Sequence, residues 1–417
     1  MSGASGAEVG AGRRWSIVAL LAAALLINYV DRGLLPTAAP LIQDDLKFSA
    51  AELGMLFSAF YWTYAPMQVL LGWLAEHLGP WRTLAGGLTL WACATLLVGL
   101  AHSLALLLLL RLLLGVGESV GFPSVSKVLA ATIPLRDLGL ANGVVAFSYL
   151  IGPALGAYFG GLLMAGYGWR PAFVVFGAAS LLWLLPWARL RPREHARPII
   201  ATDAPSFLTV LRQPALWGAS LGHFSSNYAF YFILTWLPYY LVRERGFSIT
   251  GMAAVSGSAY LVNAASALIA GWAIDRYIAR RGHATLIYKG SMVAGQLGAL
   301  VCIPLIALAS QPLALACLFL YQILTGVASP GIFAIPQILA GPHAAARWVG
   351  IQNAVGNVAG ILAPAFTGLL VESSHRFTSA FVAAALVGVL GLIGWTWMLP
   401  PIAPLRWQVP QSRTGQA

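Results

Sequence analysis

Four charged residues sit where charge is hardest to keep. Asp31 and Arg32 lie in one long apolar run, and Arg111 and Glu118 lie in another. Two acids and two arginines sum to zero. Arg111 and Glu118 are seven positions apart, two turns of helix, so they share a face about 10 Å apart along the axis. Asn28 and Arg32 form an i,i+4 pair, which also faces one way. Tyr61, Tyr64 and Gln68 make an i, i+3, i+7 stripe on the next run. These types suit anion and proton chemistry. A planar guanidinium grips a carboxylate with two parallel N–H···O bonds, so Arg32 or Arg111 can receive an organic anion. A carboxylate in an apolar cavity holds its proton more tightly and can load and release it near neutral pH. Asp31 and Glu118 are the buried candidates. The plainer alternative is two ion pairs that hold helices together, but small residues pack helices without the desolvation cost.

The elements that carry these residues are set by composition. The chain has 417 residues, of which 59% are hydrophobic and 9% charged, against about 25% charged in soluble domains. Such a chain cannot cover a water-facing surface, so a cytosolic enzyme, a secreted domain and a disordered protein are excluded. A transmembrane helix needs about 20 mostly apolar residues. Twelve such runs are present, near 15–38, 52–76, 81–101, 103–127, 138–165, 170–190, 214–241, 251–275, 286–309, 312–338, 347–371 and 378–399. They are too long and not alternating enough for barrel strands. The first run lacks a small-x-small cleavage site and continues into Asn28, Tyr29, Asp31 and Arg32, so it reads as retained.

The formal charge of +11 has a topological explanation. With both termini in the cytoplasm, seventeen Lys and Arg fall on the inner side and five on the outer side, which fixes the orientation. No nucleic-acid partner is needed to account for it. The expected organisation is a cytoplasmic tail at 1–14, a six-helix half at 15–190, a cytoplasmic linker at 191–213, a second six-helix half at 214–400 and a cytoplasmic tail at 401–417. Cys93, Cys302 and Cys317 have no paired spacing and read as buried small hydrophobes.

The halves repeat. Residues 111–154 align without gaps to 322–365, sharing Leu113/Leu324, Gly115/Gly326, Val116/Val327, Phe122/Phe333, Arg136/Arg347, Gly139/Gly350, Asn142/Asn353 and Pro153/Pro364. Gly72-Trp73-Leu74-Ala75-Glu76-His77 likewise parallels Gly271-Trp272-Ala273-Ile274-Asp275-Arg276. Duplicated six-helix halves mark secondary transporters. The expected fold is therefore all-α and integral to the membrane, with twelve transmembrane helices in two pseudo-symmetric halves.

Over nearly its whole length the chain resembles the major facilitator superfamily. Gly72-x-Leu74-Ala75-Glu76-His77-x-Gly79-x-x-Arg82 is similar to that superfamily's loop 2–3 signature, with Glu76 for the usual Asp and His77 for the usual Arg. The resemblance implies a gating motif of Gly72, Glu76 and Arg82, echoed by Asp275 and Arg276. Three further segments resemble the anion:cation symporter family, which includes sugar-acid/proton symporters for galactonate and glucarate. They are Asn28-Tyr29-Val30-Asp31-Arg32, Arg111-x-x-x-Gly115-x-Gly117-Glu118-x-x-x-Phe122-Pro123, and His223-Phe224-x-x-Asn227-Tyr228-x-x-Tyr231-Phe232-x-Leu234-Thr235-Trp236-Leu237-Pro238. That resemblance implies proton sites at Asp31 and Glu118, a substrate carboxylate on Arg32, Tyr64 lining the pocket, and Arg111 pairing with the acids.

The carboxyl-terminal half carries no deep charge. It offers Asn227, Tyr231, Gln322 and Asn353, amides and phenols that suit hydroxyl groups of a polyhydroxylated acid. Gln322 occupies the repeat position of Arg111. With Asn28, Tyr29, Tyr61, Tyr64 and Gln68 these complete the expected substrate-binding set. The expectation is a proton-coupled symporter for a small organic anion in the bacterial inner membrane, monomeric, drawing on the proton gradient with no cofactor and no metal. A drug or metabolite exporter working by proton antiport is the alternative. It is disfavoured by the paired arginines, and Gly143-x8-Gly152-Pro153-x-x-Gly156 reads as a helix-bending and close-packing device. No nucleophile–base constellation, metal cluster or phosphate loop supports an enzyme.

Overall fold

The computed structural model describes residues 11–133, 135–190, 205–405 and 407. All regular structure among them is helical. The order is α1 (Ala11–Leu46), α2 (Ala50–His77), α3 (Pro80–Val98), α4 (Leu104–Glu118), α5 (Gly121–Thr132), α6 (Leu135–Tyr167), α7 (Trp169–Leu182), α8 (Leu184–Leu190), α9 (Phe207–Leu211), α10 (Pro214–Arg243), α11 (Ile249–Arg281), α12 (Ala284–Leu308), α13 (Gln311–Ser374) and α14 (Phe377–Ile393). A π-helical turn, Gly394–Met398, follows.

Ten helical stretches among the described residues are long and apolar enough to cross a membrane. The expected runs 52–76 and 214–241 correspond to α2 and α10, of 28 and 30 residues. Both carry the polar stripes noted in the sequence. The fourth run is α4 and α5 in sequence. The tenth and eleventh runs are two successive helices, here both under the label α13, that meet at a kink at Gly341, whose φ of 66° lies in the left-handed region that glycine tolerates.

Local signals set the boundaries. Ser49 accepts from the Glu52 amide, and the Glu52 carboxylate accepts from the Ser49 amide at 2.7 Å, a complete capping box at the start of α2. Ser103 caps α4 in the same way. Gly79, at φ 88°, turns the chain before Pro80 opens α3. The connection expected as polar linker contains the short helix α9, capped by Ser206. The linker residues 191–204 lie outside the described residues, as do tail residues 1–10, 406 and 408–417.

The chain forms two compact units. The first comprises Met1–Ala196 with Phe232–Ala264 and Pro364–Phe377. Its main seam joins α1 to α6. Gly152, Gly156 and Gly160 recur every fourth residue on α6, and a Cβ at any of them would strike Tyr29, Val30 or Leu34 of α1. Gly152 and Gly156 belong to the close-packing device read from the sequence, whereas its Gly143 has open space beside it. Gly115 of α4 lies against the Phe60 carbonyl of α2, where Thr63 also donates to the Leu112 carbonyl at 2.8 Å. In the same unit, Arg243 pairs with Asp44 and donates to the Pro40 carbonyl at 2.9 Å. Tyr239 donates to Gln43 Oε1 at 2.7 Å. Glu372 accepts from the Ala51 amide at the amino terminus of α2, the favourable end of the dipole for an anion.

The second unit comprises Arg197–Tyr231, Ala265–Ala363 and Thr378–Ala417. Its core gathers Leu216, Met292, Ile335, Leu339, Trp348 and Trp395. Lys289 donates to the Thr396 and Leu399 carbonyls at 3.2 and 2.6 Å. Those acceptors are carbonyls that the end of a helix leaves without an intrahelical partner.

A charged cluster in the amino-terminal half

Three helices of the first unit bring the four deep charges together. α1 supplies Asn28, Tyr29, Asp31 and Arg32, α2 supplies Phe60, Tyr61 and Tyr64, and α4 supplies Arg111 and Glu118. The glycine seam with α6 seats α1, and the Gly115 contact seats α4 on α2. Asn28, Asp31, Arg32, Arg111 and Glu118 are all buried.

One ion pair forms at the centre. Arg32 Nε donates to Glu118 Oε2 at 3.1 Å. The Arg32 guanidinium also lies 4.4 Å from the Tyr29 ring centroid, 4.5 Å from that of Tyr64 and 4.9 Å from that of Phe60. Three negative ring faces around one cation offset part of its desolvation. The Arg111 guanidinium also lies over Phe60, 5.0 Å from its ring centroid. The second ion pair considered for the sequence does not form: among the described residues neither Asp31 nor Arg111 has a salt-bridge partner. Asp31 instead accepts from the Thr95 hydroxyl of α3 at 3.2 Å.

Several buried polar atoms of the cluster have no hydrogen-bond partner. They are Arg32 Nη2, Arg111 Nε, Glu118 Oε1, Asp31 Oδ1 and both amide atoms of Asn28. Orphaned buried groups are costly and call for an explanation. Here donors and acceptors lie on side chains of adjoining helices, as a site for a polar ligand requires. Tyr61 packs edge-on to Tyr64, at 6.3 Å between centroids. Gln68, one turn further along α2, is half-buried.

The expected residues of the carboxyl-terminal half behave differently. In the second unit Asn227 donates to the Gly356 carbonyl at 3.1 Å, and the Tyr231 hydroxyl donates to Asn357 Oδ1 at 2.9 Å. Both bonds tie α10 to α13. Gln322 is buried and Asn353 half-buried on α13. His223 lies buried against Gly356, with its ring edge-on to Phe333.

Of the gating motif, Gly72 and Glu76 lie outside the residues whose side chains are described. Arg82 is exposed at the start of α3. Asp275 and Arg276 are exposed on α11, where Arg276 lies 5.6 Å from the Trp272 ring centroid.

Sequence reasoning missed Phe60 and Thr95. Phe60 had a signal: it is four residues before Tyr64, so their rings share a face and stack at 4.9 Å. Thr95 had none, because a lone hydroxyl within an apolar run is ordinary.

A helical chain with twinned halves and a buried arginine–carboxylate cluster is the build of a secondary transporter. The profile of the Major Facilitator Superfamily matches residues 21–364, and the chain belongs to that family. It is a multi-pass membrane transporter and not an enzyme. It is 29% identical to a probable sulfoacetate transporter of Cupriavidus necator, over 90% of this chain and 92% of that one. It is 28% identical to the hexuronate transporter of Bacillus subtilis, over 93% and 94%. It is 26% identical to a probable galactarate/D-glucarate transporter of Escherichia coli, over 95% and 96%. Among solved structures, a bacterial homolog to the human lysosomal transporter Spinster, in an inward-facing and occupied conformation, superposes with a TM-score of 0.82 at 18% identity. It covers 94% of this chain and 97% of that one, a likeness of fold.

Proposed function

We propose that the chain takes up a small organic anion, a sugar acid or other carboxylate, by symport with protons through alternating access. The observation that carries this reading is the state of Arg32. Its Nε is held by Glu118 while its buried Nη2 has no partner. The guanidinium therefore keeps an edge for an incoming carboxylate. Protonating Glu118 would release Nε as well and complete the two-pronged grip. Acid and substrate thus compete for one arginine, and that competition is the coupling. In the proposed cycle Asp31 and Glu118 are protonated facing outward, Arg32 then receives the anion, and inside the substrate and protons leave and Glu118 pairs with Arg32 again. Tyr29, Tyr64 and Asn28 adjoin the arginine, and Arg111 supports the same negative charge. The named substrates of the relatives are organic acids, which agrees with this reading.

The same reading places the protein in a bacterial inner membrane, with both termini cytoplasmic, as a monomer driven by the proton gradient. The test is ligand-induced thermal stabilisation of the purified protein against sugar acids, dicarboxylates, sulfoacetate, aromatic acids and neutral sugars. Hits are then followed by uptake into proteoliposomes with an inward proton gradient. Sugar-acid stabilisation with gradient-dependent uptake is expected. Stabilisation by neutral sugars or organic cations alone would sink the anion reading.

A further inference from the structure

Among the described residues Asp31 is the deep acid that makes no ion pair. Arg32, its neighbour in sequence, points to Glu118, while Asp31 Oδ2 takes the Thr95 hydroxyl of α3 and Oδ1 has no partner. The charged groups around it are Glu118 and Arg111 on α4, neither within ion-pair distance. α3 brings no charge nearby: its charged residue, Arg82, is exposed at the other end, about 20 Å away along the helix. α6 sets Tyr149 against Tyr29, and the lysine of α5, Lys127, donates to the Ala75 carbonyl. Thr95 is thus the donor that Asp31 has. Both residues are buried, and the adjacent Trp91 is fully so.

We propose that Thr95 is a positioning residue for the Asp31 proton, a hydroxyl rotor that stabilises the ionised acid without engaging either arginine. When Asp31 is ionised, Thr95 donates to it. When Asp31 takes a proton, the hydroxyl can turn to the Trp91 carbonyl, the i−4 acceptor open to a helical threonine, and leave its lone pairs to the new O–H. Each state of the acid then has a partner. Arg32 and Arg111 stay available for substrate in both states. The two acids have different jobs on this view: Glu118 competes with substrate for Arg32, and Asp31 binds its proton off to one side. The inference rests on the symport reading for its purpose, but the titration itself does not.

The experiment follows protonated-carboxyl stretches by infrared difference spectroscopy of the reconstituted full chain, titrated from about pH 4 to about pH 9. The Asp31 and Glu118 bands are assigned by their loss in Asp31→Asn and Glu118→Gln. Removing a neutral donor from an ionised carboxylate costs about one hydrogen bond, so Thr95→Val moves the Asp31 midpoint up by about one pH unit. The Glu118 midpoint stays in place, and Thr95→Ser restores the wild-type curve. Thr95→Cys, a weak donor of similar size, gives a smaller upward shift and serves if Thr95→Val does not accumulate in the membrane. An unmoved Asp31 midpoint, an equal shift of the Glu118 band, or no Asp31 titration in this range would each overturn the proposal. No substrate enters the measurement, so failure of the symport reading shows separately, as absent gradient-driven uptake with the band shift intact.

Discussion

Positions 111 and 322 are the same place in the repeat, and they hold an arginine and a glutamine. The surroundings diverge in the same sense. Around Arg111, in the first unit, polar atoms of five buried side chains have no hydrogen-bond partner. In the second unit, on the helix that follows the one carrying Gln322, Asn357 receives Tyr231 and the Gly356 carbonyl receives Asn227, while Gln352 Oε1 has no partner. Duplication kept the helix framework, with its glycines and prolines, and let the chemistry part. In the first unit the buried charges keep polar atoms without partners. The other uses amides to fix helix positions. The comparison teaches that a polar residue inside a membrane reveals its role by whether its bonds are already made.

The largest test of this contrast is Arg32→Lys. A lysine keeps the charge but loses the planar fork and the ring stacking on Tyr29, Tyr64 and Phe60. Substrate affinity is expected to fall by about 2–3 kcal/mol, roughly 30–150-fold, read by thermal-shift titration. Unchanged affinity would move the carboxylate site to Arg111. Next is Glu118→Gln, which keeps a hydrogen bond to Arg32 but removes the titratable competitor. Accumulation against a gradient should be lost while substrate exchange persists. Wild-type accumulation would remove Glu118 from the proton path.

A smaller effect is expected from Gly156→Leu, which tests the frame and not the site. The added side chain meets the Val30 backbone, so α1 must move away from α6 and carry Arg32 with it. Overpacking of this kind costs about 1–3 kcal/mol of stability. A drop in melting temperature together with a matching loss of affinity is expected. Loss of stability with affinity intact would show that the cluster does not depend on the α1–α6 seam.

The frame was legible because membrane spans are written in composition: all twelve runs correspond to helical segments, although the two compact units do not coincide with the halves read from the repeat, since the first also takes in Phe232–Ala264 and Pro364–Phe377. The break between runs 312–338 and 347–371 was legible too, and the structure places the kink between them at Gly341. The cluster was half legible. Charged residues in apolar runs identify themselves by cost, so Asp31, Arg32, Arg111 and Glu118 could be named from sequence. Their partners could not. Which acid meets which arginine depends on side-chain direction across helices, and the structure pairs Arg32 with Glu118 and Asp31 with Thr95. For Asn227 and Tyr231, sequence offers polarity without saying whether the bond is to substrate or to a neighbouring helix.

That last distinction is the finest test. Tyr231→Phe removes one hydroxyl whose bond goes to Asn357 and leaves the ring in its buried seat. If the hydroxyl serves the α10–α13 contact, its loss leaves Asn357 short of a donor. Cross-helix bonds in membranes average about 0.6 kcal/mol, so stability falls by roughly that amount and affinity stays within about twofold. If the hydroxyl binds substrate instead, stability holds and affinity drops about tenfold or more, because a site built for a substrate hydroxyl is left unpaired. The same split read on Asn227→Ala gives an independent answer. Its bond runs to a backbone carbonyl that no substitution removes, so any loss of affinity there cannot be assigned to a changed partner side chain. Two variants with stability losses and intact affinity would keep the halves distinct. Affinity losses in both would make the carboxyl-terminal amides part of the site and erase the contrast between positions 111 and 322.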